Sequence, residues 1–336
     1  MNKNYRLKEV AQIVGVAPIT LKRWLLDKKI AEVTRDRKGW RVFTMEDIRK
    51  IQEYANTLHP QSEEGQAPII NGCKTITILN QKGGVAKTVT TLSLAHALAI
   101  KGRKILICDL DPQYNATLTL SNSEHPKKYK NSMSQVFLDR HLPIAECIYT
   151  TSIDGVDFIP GSLELTTVGE ELRKQSLRPT EALKDKINSI QSKYSFILFD
   201  CPPSSLDLKT INALAVSNYF IIPIKAGDLY SMEGFSHLFE LVQEIQEQIN
   251  PHLIPLGILM TMYVSRRKVC DQMEKEMRDF FKSEPIPVFK TRIRDNTDIQ
   301  KAVRENMTIF QYNQQSIAAM DYMDLAEEIL NREERK

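Results

Sequence analysis

Residues 75–88 read Thr75-Ile76-Thr77-Ile78-Leu79-Asn80-Gln81-Lys82-Gly83-Gly84-Val85-Ala86-Lys87-Thr88. Thr75–Asn80 is a short apolar run of strand length, and a helical pattern over Val89–Ile100 follows the loop. A glycine-bearing loop between strand and helix, closed by a Lys-Thr pair, makes a cradle for phosphates. Glycines let backbone N–H groups close on an anion, and the following helix points its N-terminus at it. In such a loop Lys87 reaches the β- and γ-phosphates of a nucleotide, and the Thr88 hydroxyl holds Mg²⁺. Nucleotide contacts are expected from Lys82, Gly83, Gly84, Val85, Ala86, Lys87, Thr88 and Val89. The general pattern G-x-x-x-x-G-K-[ST] is not met: position 86 is alanine, and the first glycine's place falls at Asn80–Gln81.

Outward from this loop, further strand-length apolar runs lie at Lys104–Asp109, Ser195–Asp200, Tyr219–Ile224, Leu253–Met260 and Ile286–Phe289. Helical patterns separate several of them, Asp207–Ser217 among these. Alternating strands and helices predict an α/β fold with a mostly parallel sheet and helices on both faces. Ligands in such sheets bind beyond the C-terminal strand ends. Two strands end there in carboxylates: Cys108-Asp109-Leu110-Asp111-Pro112 and Phe199-Asp200-Cys201-Pro202-Pro203.

Lys82 stands five residues before Lys87, and this Lys-Gly-Gly-x-x-Lys-Thr arrangement resembles the deviant P-loop of the ParA/MinD family of ATPases. The resemblance covers roughly residues 75–330. It continues through Ile222-Pro223-Ile224-Lys225-Ala226, Tyr230-Ser231-Met232-Glu233-Gly234 and Gly257-Ile258-Leu259-Met260-Thr261-Met262-Tyr263, which look like ParA partition ATPases. It implies ATP/ADP and Mg²⁺ as cofactors, with Lys82 reaching the phosphates across a nucleotide-sandwich homodimer. It implies that Asp111 positions the attacking water, that Asp109 supports Mg²⁺ and its water shell, and that Asp200 holds a Mg²⁺-bound water. The catalytic set is then Lys82, Lys87 and Asp111, and the metal set Thr88, Asp109 and Asp200. Departures from the family are Ala86 for glycine and Val89 for a second threonine; the Ala86 methyl is expected to crowd the loop slightly while keeping its N–H.

The first 60 residues hold 13 Lys and Arg against 7 Asp and Glu, so a net charge of +3 conceals a basic head on a slightly acidic remainder. Charge gathered in one segment points to nucleic acid. Leu7–Val16 reads as a helix with a glycine turn, and Ala17-Pro18 opens a second helix through Thr20-Leu21-Lys22-Arg23-Trp24, which is helix-turn-helix spacing. Asp36–Phe43 reads as a basic hairpin wing, and Thr44 with Asp47 three on caps a further helix. This order resembles the MerR-type winged helix-turn-helix. It places Thr20, Lys22 and Arg23 in a major groove and Arg37, Lys38 and Arg41 on the DNA backbone. Trp24 reads as core. A second basic set, Arg266, Arg267 and Lys268 with Lys290, Arg292 and Arg294, is either a nonspecific DNA surface or solvated charge. Arg266 matches an arginine used for DNA in the partition family.

The expected organisation is a head over 1–57, a linker over 58–73 and an ATPase domain over 74–336. No apolar run approaches the ~20 residues of a membrane span, and none follows the N-terminus as a leader would, so a cytoplasmic protein is expected. Five scattered cysteines form no CxxC, against a zinc site or disulfide framework. The resemblance implies a partition ATPase that dimerises on ATP, holds the nucleoid's DNA without sequence preference, answers a ParB-like centromere-binding protein and represses its own operon. Three rivals share the fold. One is a transcriptional repressor tuned by nucleotide. Another is a MinD-like positioning ATPase, disfavoured by the mixed-charge end Asn331-Arg332-Glu333-Glu334-Arg335-Lys336, which lacks a membrane helix's bulky anchors. The third is an iron–sulfur reductase, which needs interface cysteines.

Overall fold

The computed structural model describes residues 72–121, 128–204, 207–227, 231–264, 268–281 and 286–334, together with 5, 7, 10–11, 21, 24–25, 29–30, 33–35, 41–44, 47–51 and 54. The chain divides into two compact units, Met1–Ala67 and Pro68–Lys336. The expected linker falls outside the described residues except for 72 and 73.

In the larger unit the elements run β1 (Lys74–Ile78), α1 (Lys87–Ile100), β2 (Ile105–Asp109), α2 (Asn115–Leu120), α3 (Met133–Leu138), β3 (Tyr149–Thr150), β4 (Val156–Ile159), α4 (Leu165–Gln175) and α5 (Lys184–Asn188). They continue through β5 (Phe196–Asp200), α6 (Leu208–Val216), β6 (Tyr219–Lys225), α7 (Ser231–Gln248), β7 (Ile254–Tyr263), α8 (Lys268–Phe281), β8 (Val288–Arg294), α9 (Thr297–Arg304), α10 (Ile309–Tyr312) and α11 (Ile317–Glu334). The strands form one sheet in the order β3-β4-β2-β5-β1-β6-β7-β8. Among the described strands of this sheet only β3 pairs antiparallel, with β4. The fold class is the one expected: a mostly parallel sheet with helices around it.

The period-2 alternation within each strand splits the core in two. Ile105, Ile107, Phe196 and Leu198 point to one face, where α1 and α11 pack. Leu106, Cys108, Ile197 and Phe199 join the other cluster, with residues of α3, α4, α6 and α7. Strands buried on both faces need continuous apolar runs, which is why they were readable.

Two strands differ from the expectation. β4 has only four residues, fewer than a reliable periodic signal. β8 runs to Arg294, beyond the expected end at Phe289, because its polar residues face partners on α11. Glu328 accepts from the N–H groups of Lys290 and Thr291, and Asp321 accepts from that of Arg294 at 2.8 Å. Two carboxylates on one helix thus occupy the open edge of the sheet, which an edge strand otherwise leaves for a foreign strand. Among the described residues no helix is long and apolar enough to cross a membrane.

The smaller unit has its own core of Val10, Ala11, Leu21, Trp24, Leu25, Ile30, Val33, Phe43, Ile48 and Ile51. Trp24 is buried and meets Tyr54 edge-on at 5.2 Å, a core residue as expected. Tyr5 bridges Phe43, and Arg35 bridges Arg41 in antiparallel pairing. Thr44 and Asp47 close a reciprocal cap: Thr44 N donates to Asp47 Oδ2 at 2.8 Å, and Asp47 N to Thr44 Oγ1 at 3.2 Å. Such a cap contributes roughly 1 kcal/mol.

Candidate nucleotide site

The phosphate loop hangs between β1 and α1 and is pinned from below by two polar residues. Asn80 Nδ2 donates to the Pro223 carbonyl at 2.8 Å, while its Oδ1 accepts from Lys82 N at 2.9 Å. Thr261 Oγ1 lies 3.2 Å from the Val85 carbonyl and 3.1 Å from that of Ile224. The neighbouring strands β6 and β7 therefore set the loop's height. The sequence reading missed both pins; their one signal is a polar residue at or near the end of an apolar strand.

Gly84 and Ala86 take left-handed backbone, φ 72 and 67. Left-handed positions spaced in this way turn successive N–H groups into an anion-binding nest. Ala86 is the N-cap of α1 and makes no side-chain cap bond, so the helix begins with its first N–H groups available to a ligand. The left-handed φ gives Ala86 a backbone cost that the sequence did not show.

Lys87 is buried, and its Nζ donates to the Lys82 carbonyl at 2.9 Å, folding back over its own loop. Burial pulls its pKa down, and the neighbouring acidic groups, Asp200 first, oppose this. Lys82 itself is exposed, as are Gly83 and Gly84, and Val85 is buried. Thr88 and Val89 open the helix, half-buried.

Asp109 and Asp200 stand side by side at the ends of β2 and β5, as direct register partners. Both are fully buried. Burial raises the pKa of each carboxyl; for Asp200 the neighbouring Asp109 charge adds to the rise, and the Thr88 and Thr91 hydroxyls oppose it. Thr91 Oγ1 donates to Asp200 Oδ1 at 3.1 Å, but Asp200 Oδ2 is buried with no hydrogen-bond partner. A buried carboxylate oxygen without a partner, close to a threonine hydroxyl, suits a hard cation with oxygen ligands. Among the described residues no three His, Cys, Asp or Glu side chains gather as a metal shell.

Asp109, expected to support Mg²⁺ and its water shell, is also engaged by the protein itself. Its Oδ1 accepts from Asp111 N at 3.2 Å, and its Oδ2 accepts from Thr117 N at 2.9 Å and Thr117 Oγ1 at 2.7 Å. Both oxygens thus accept hydrogen bonds from the protein, whereas Asp200 Oδ2 accepts none. Asp111 is buried at the head of the next loop, and its Oδ1 accepts from Gln113 N at 2.9 Å.

The head residues Thr20, Lys22, Arg23, Arg37 and Lys38 lie outside the described residues. Arg41 is half-buried at the bridge with Arg35. Arg266 and Arg267 also lie outside, and Lys268 is described only as the first residue of α8. Of the accompanying basic set, Arg292 pairs with Glu274 at 2.7 Å and Arg294 with Asp321 at 2.5 Å, so part of that charge is neutralised in place.

A family model described as an AAA domain matches residues 73–254, more than half of the chain, and one described as a MerR HTH family regulatory protein matches residues 5–59. The sporulation initiation inhibitor protein Soj of Bacillus subtilis is 34% identical over 76% of this chain and 98% of its own length. The chromosome partitioning protein ParA of Myxococcus xanthus is 33% identical over 78% of this chain and 89% of its own. Among solved structures, cobyrinic acid a,c-diamide synthase from Mycobacterium smegmatis, with bound ATP analogue and magnesium, superposes with a TM-score of 0.67 at 27% identity, over 77% of this chain and 95% of that one. Relatives a third identical across nearly their whole length leave little room for another ancestry: the chain belongs to the ParA/Soj family of partition ATPases, with a MerR-type helix-turn-helix segment ahead of the ATPase unit.

Proposed function

We propose that the larger unit binds ATP with Mg²⁺ in the loop over 81–88, hydrolyses it, and pairs with a second copy in the ATP-bound state. The observation that carries this is the buried Lys87 ammonium, held on the Lys82 carbonyl within a bare helix N-terminus and close to the buried Asp200 carboxylate. An anion entering the nest gives Lys87 a stronger partner than a neutral carbonyl, since charge-assisted hydrogen bonds are roughly twice as strong. The backbone N–H groups of 84–88 hold the phosphates, and Thr88 with Asp200 would hold Mg²⁺. When bound, Mg²⁺ neutralises charge on the outer phosphates. Asp111 orients the attacking water, and the exposed Lys82 reaches phosphate from the partner copy. In the wider reading, dimers hold DNA nonspecifically on the surface containing Arg266, Arg267 and Lys268. A ParB-like protein raises turnover and releases them. The head binds an operator through Thr20, Lys22 and Arg23 with Arg37, Lys38 and Arg41. This is a cytoplasmic, nucleoid-associated cycle.

The test is ATP hydrolysis by the full chain, with and without nonspecific DNA and the product of the neighbouring gene. A low basal rate raised by both, lost in Lys87→Ala together with ATP binding, is expected. Tight ATP binding retained by Lys87→Ala would refute the loop's role. A second reading, a repressor tuned by nucleotide, draws on the head's separate core; a rate indifferent to both additions, with ATP altering operator affinity, would favour it.

A further inference from the structure

Thr117 has no role in the site as read from the sequence, yet three segments of the chain meet on its hydroxyl. Thr117 Oγ1 donates to Asp109 Oδ2 at 2.7 Å and accepts from Gly161 N at 2.8 Å. Its backbone N–H donates to the same carboxylate oxygen at 2.9 Å. It is fully buried, in the first turns of α2. The other oxygen of Asp109 holds Asp111 N. A continuous line of hydrogen bonds therefore runs from the loop after β4, through Thr117 and the Asp109 carboxylate, to the backbone of Asp111.

Gly161 closes the other side. A Cβ built there would lie 2.9 Å from Asp109 Cγ and 3.1 Å from the Asp109 carbonyl oxygen, closer than side chains approach one another. The carboxylate is thus clamped between the hydroxyl of Thr117 and a backbone that tolerates no side chain. The turn leading into α2 also carries strain: Tyr114, its N-cap, is left-handed at φ 44 without being glycine. Strain of this kind persists only where surrounding contacts over-determine the backbone, and Tyr114 N donates to the Asp111 carbonyl at 2.9 Å within the same turn.

We propose that Thr117 is a positioning residue for hydrolysis: through Asp109 it fixes the place of the Asp111 backbone, and hence of the carboxylate that orients water. It acts on turnover and not on nucleotide affinity, because the phosphate loop over 81–88 is pinned separately, by Asn80 and Thr261. A misplacement of about 1 Å in a reacting group costs on the order of 10²-fold in rate. The inference rests on the ATPase reading of this same site.

The test compares three variants of the full chain with the wild type, in ATP affinity and in steady-state hydrolysis. Thr117→Val removes both the donor and the acceptor while keeping the shape. It is expected to lower kcat at least tenfold with KM within about twofold. Thr117→Ser keeps the hydroxyl and is expected to restore kcat to within about threefold of wild type. Gly161→Ala pushes on the Asp109 carboxylate from the opposite side and is expected to lower kcat like Thr117→Val, again with unchanged ATP affinity. Wild-type turnover in Thr117→Val would overturn the proposal, as would a serine variant no better than the valine one. If Thr117→Val does not fold, Gly161→Ala decides: reduced kcat with intact binding supports the proposal, and unchanged kcat overturns it. A wild-type chain that binds no ATP would instead overturn the function on which the proposal stands.

Discussion

Replacing Ala86 by glycine is expected to stabilise the ATPase unit, although it deletes a methyl group. Ala86 sits at φ 67, ψ 33, in the left-handed region. That region costs an L-residue about 1–2 kcal/mol relative to right-handed backbone. Glycine avoids this cost but brings about 0.4–1 kcal/mol of extra freedom to the unfolded chain. The net gain of Ala86→Gly is then about 1 kcal/mol, a rise of roughly 2–4 °C in Tm for a unit of this size. Gly84 supplies the mirror experiment in the same loop. It stands at φ 72, and a Cβ added there meets nothing within 4 Å. Gly84→Ala therefore costs backbone strain alone, about 1 kcal/mol, with an equal fall in Tm. Calorimetry of the nucleotide-free full chain reads both variants. Both tryptophans, Trp24 and Trp40, lie in the smaller unit, so their fluorescence follows that unit separately. Neither variant removes a backbone N–H, so ATP affinity should change by no more than a few-fold. A lower Tm in Ala86→Gly, or an unaltered one in Gly84→Ala, would mean that the loop does not hold its left-handed turns before nucleotide arrives.

Two further expectations concern pH. Burial lowers the pKa of His96 to about 4, and its Nδ1 lies 2.7 Å from Thr308 Oγ1. The folded state therefore holds its proton less tightly than the unfolded chain, and stability falls as pH drops from about 6.5 towards 4. This amounts to at most about 3 kcal/mol, and about half that after allowing for partial exposure; His96→Gln should flatten the acid limb of a Tm–pH curve, and an unchanged limb would refute the assignment. Asp200 shifts the other way: its raised pKa means that the folded state binds the proton more tightly, so stability is lost as pH rises through the folded value. In metal-free buffer Tm should fall from weakly acid to mildly alkaline pH, Asp200→Asn should reduce that fall while the likewise raised Asp109 keeps part of it, and Mg²⁺ should reduce it in the wild type. A slope identical in Asp200→Asn would place the titrating group elsewhere.

The strands that carry the site were legible because they are buried on both faces and leave long apolar runs, as in Phe196–Asp200. The loop was legible because phosphate binding demands glycine and lysine at fixed places. What escaped the sequence is whatever depends on partners far along the chain. Asn80 meets Pro223, and Thr261 meets Val85, at separations that no local pattern encodes. Asp109 illustrates this best. At the end of β2 it reads as support for Mg²⁺ and its water shell, and only the fold shows that residue 117 and the backbone of 111 also donate to its oxygens. β4 was invisible because four residues flanked by turns carry no periodicity above chance.

Charge depends on distant partners in the same way. The basic residues between Arg266 and Arg294 read from the sequence as either a nonspecific DNA surface or solvated charge, and a guanidinium's charge belongs to a surface only when no carboxylate has claimed it. Glu274 is buried and takes both Arg278 and Arg292, at 2.8 and 2.7 Å. Arg292 also lies over the Tyr263 ring, 4.9 Å from its centroid, at the end of β7. Removing Glu274 would leave two guanidinium groups without their anion, so these ion pairs resist rearrangement. Arg292 and Arg294 thus fix the edge of the sheet to α8 and α11. Any phosphate contact made by this face meets Arg292 and Arg294 already paired with carboxylates, so its salt dependence should reflect fewer charges than the sequence displays.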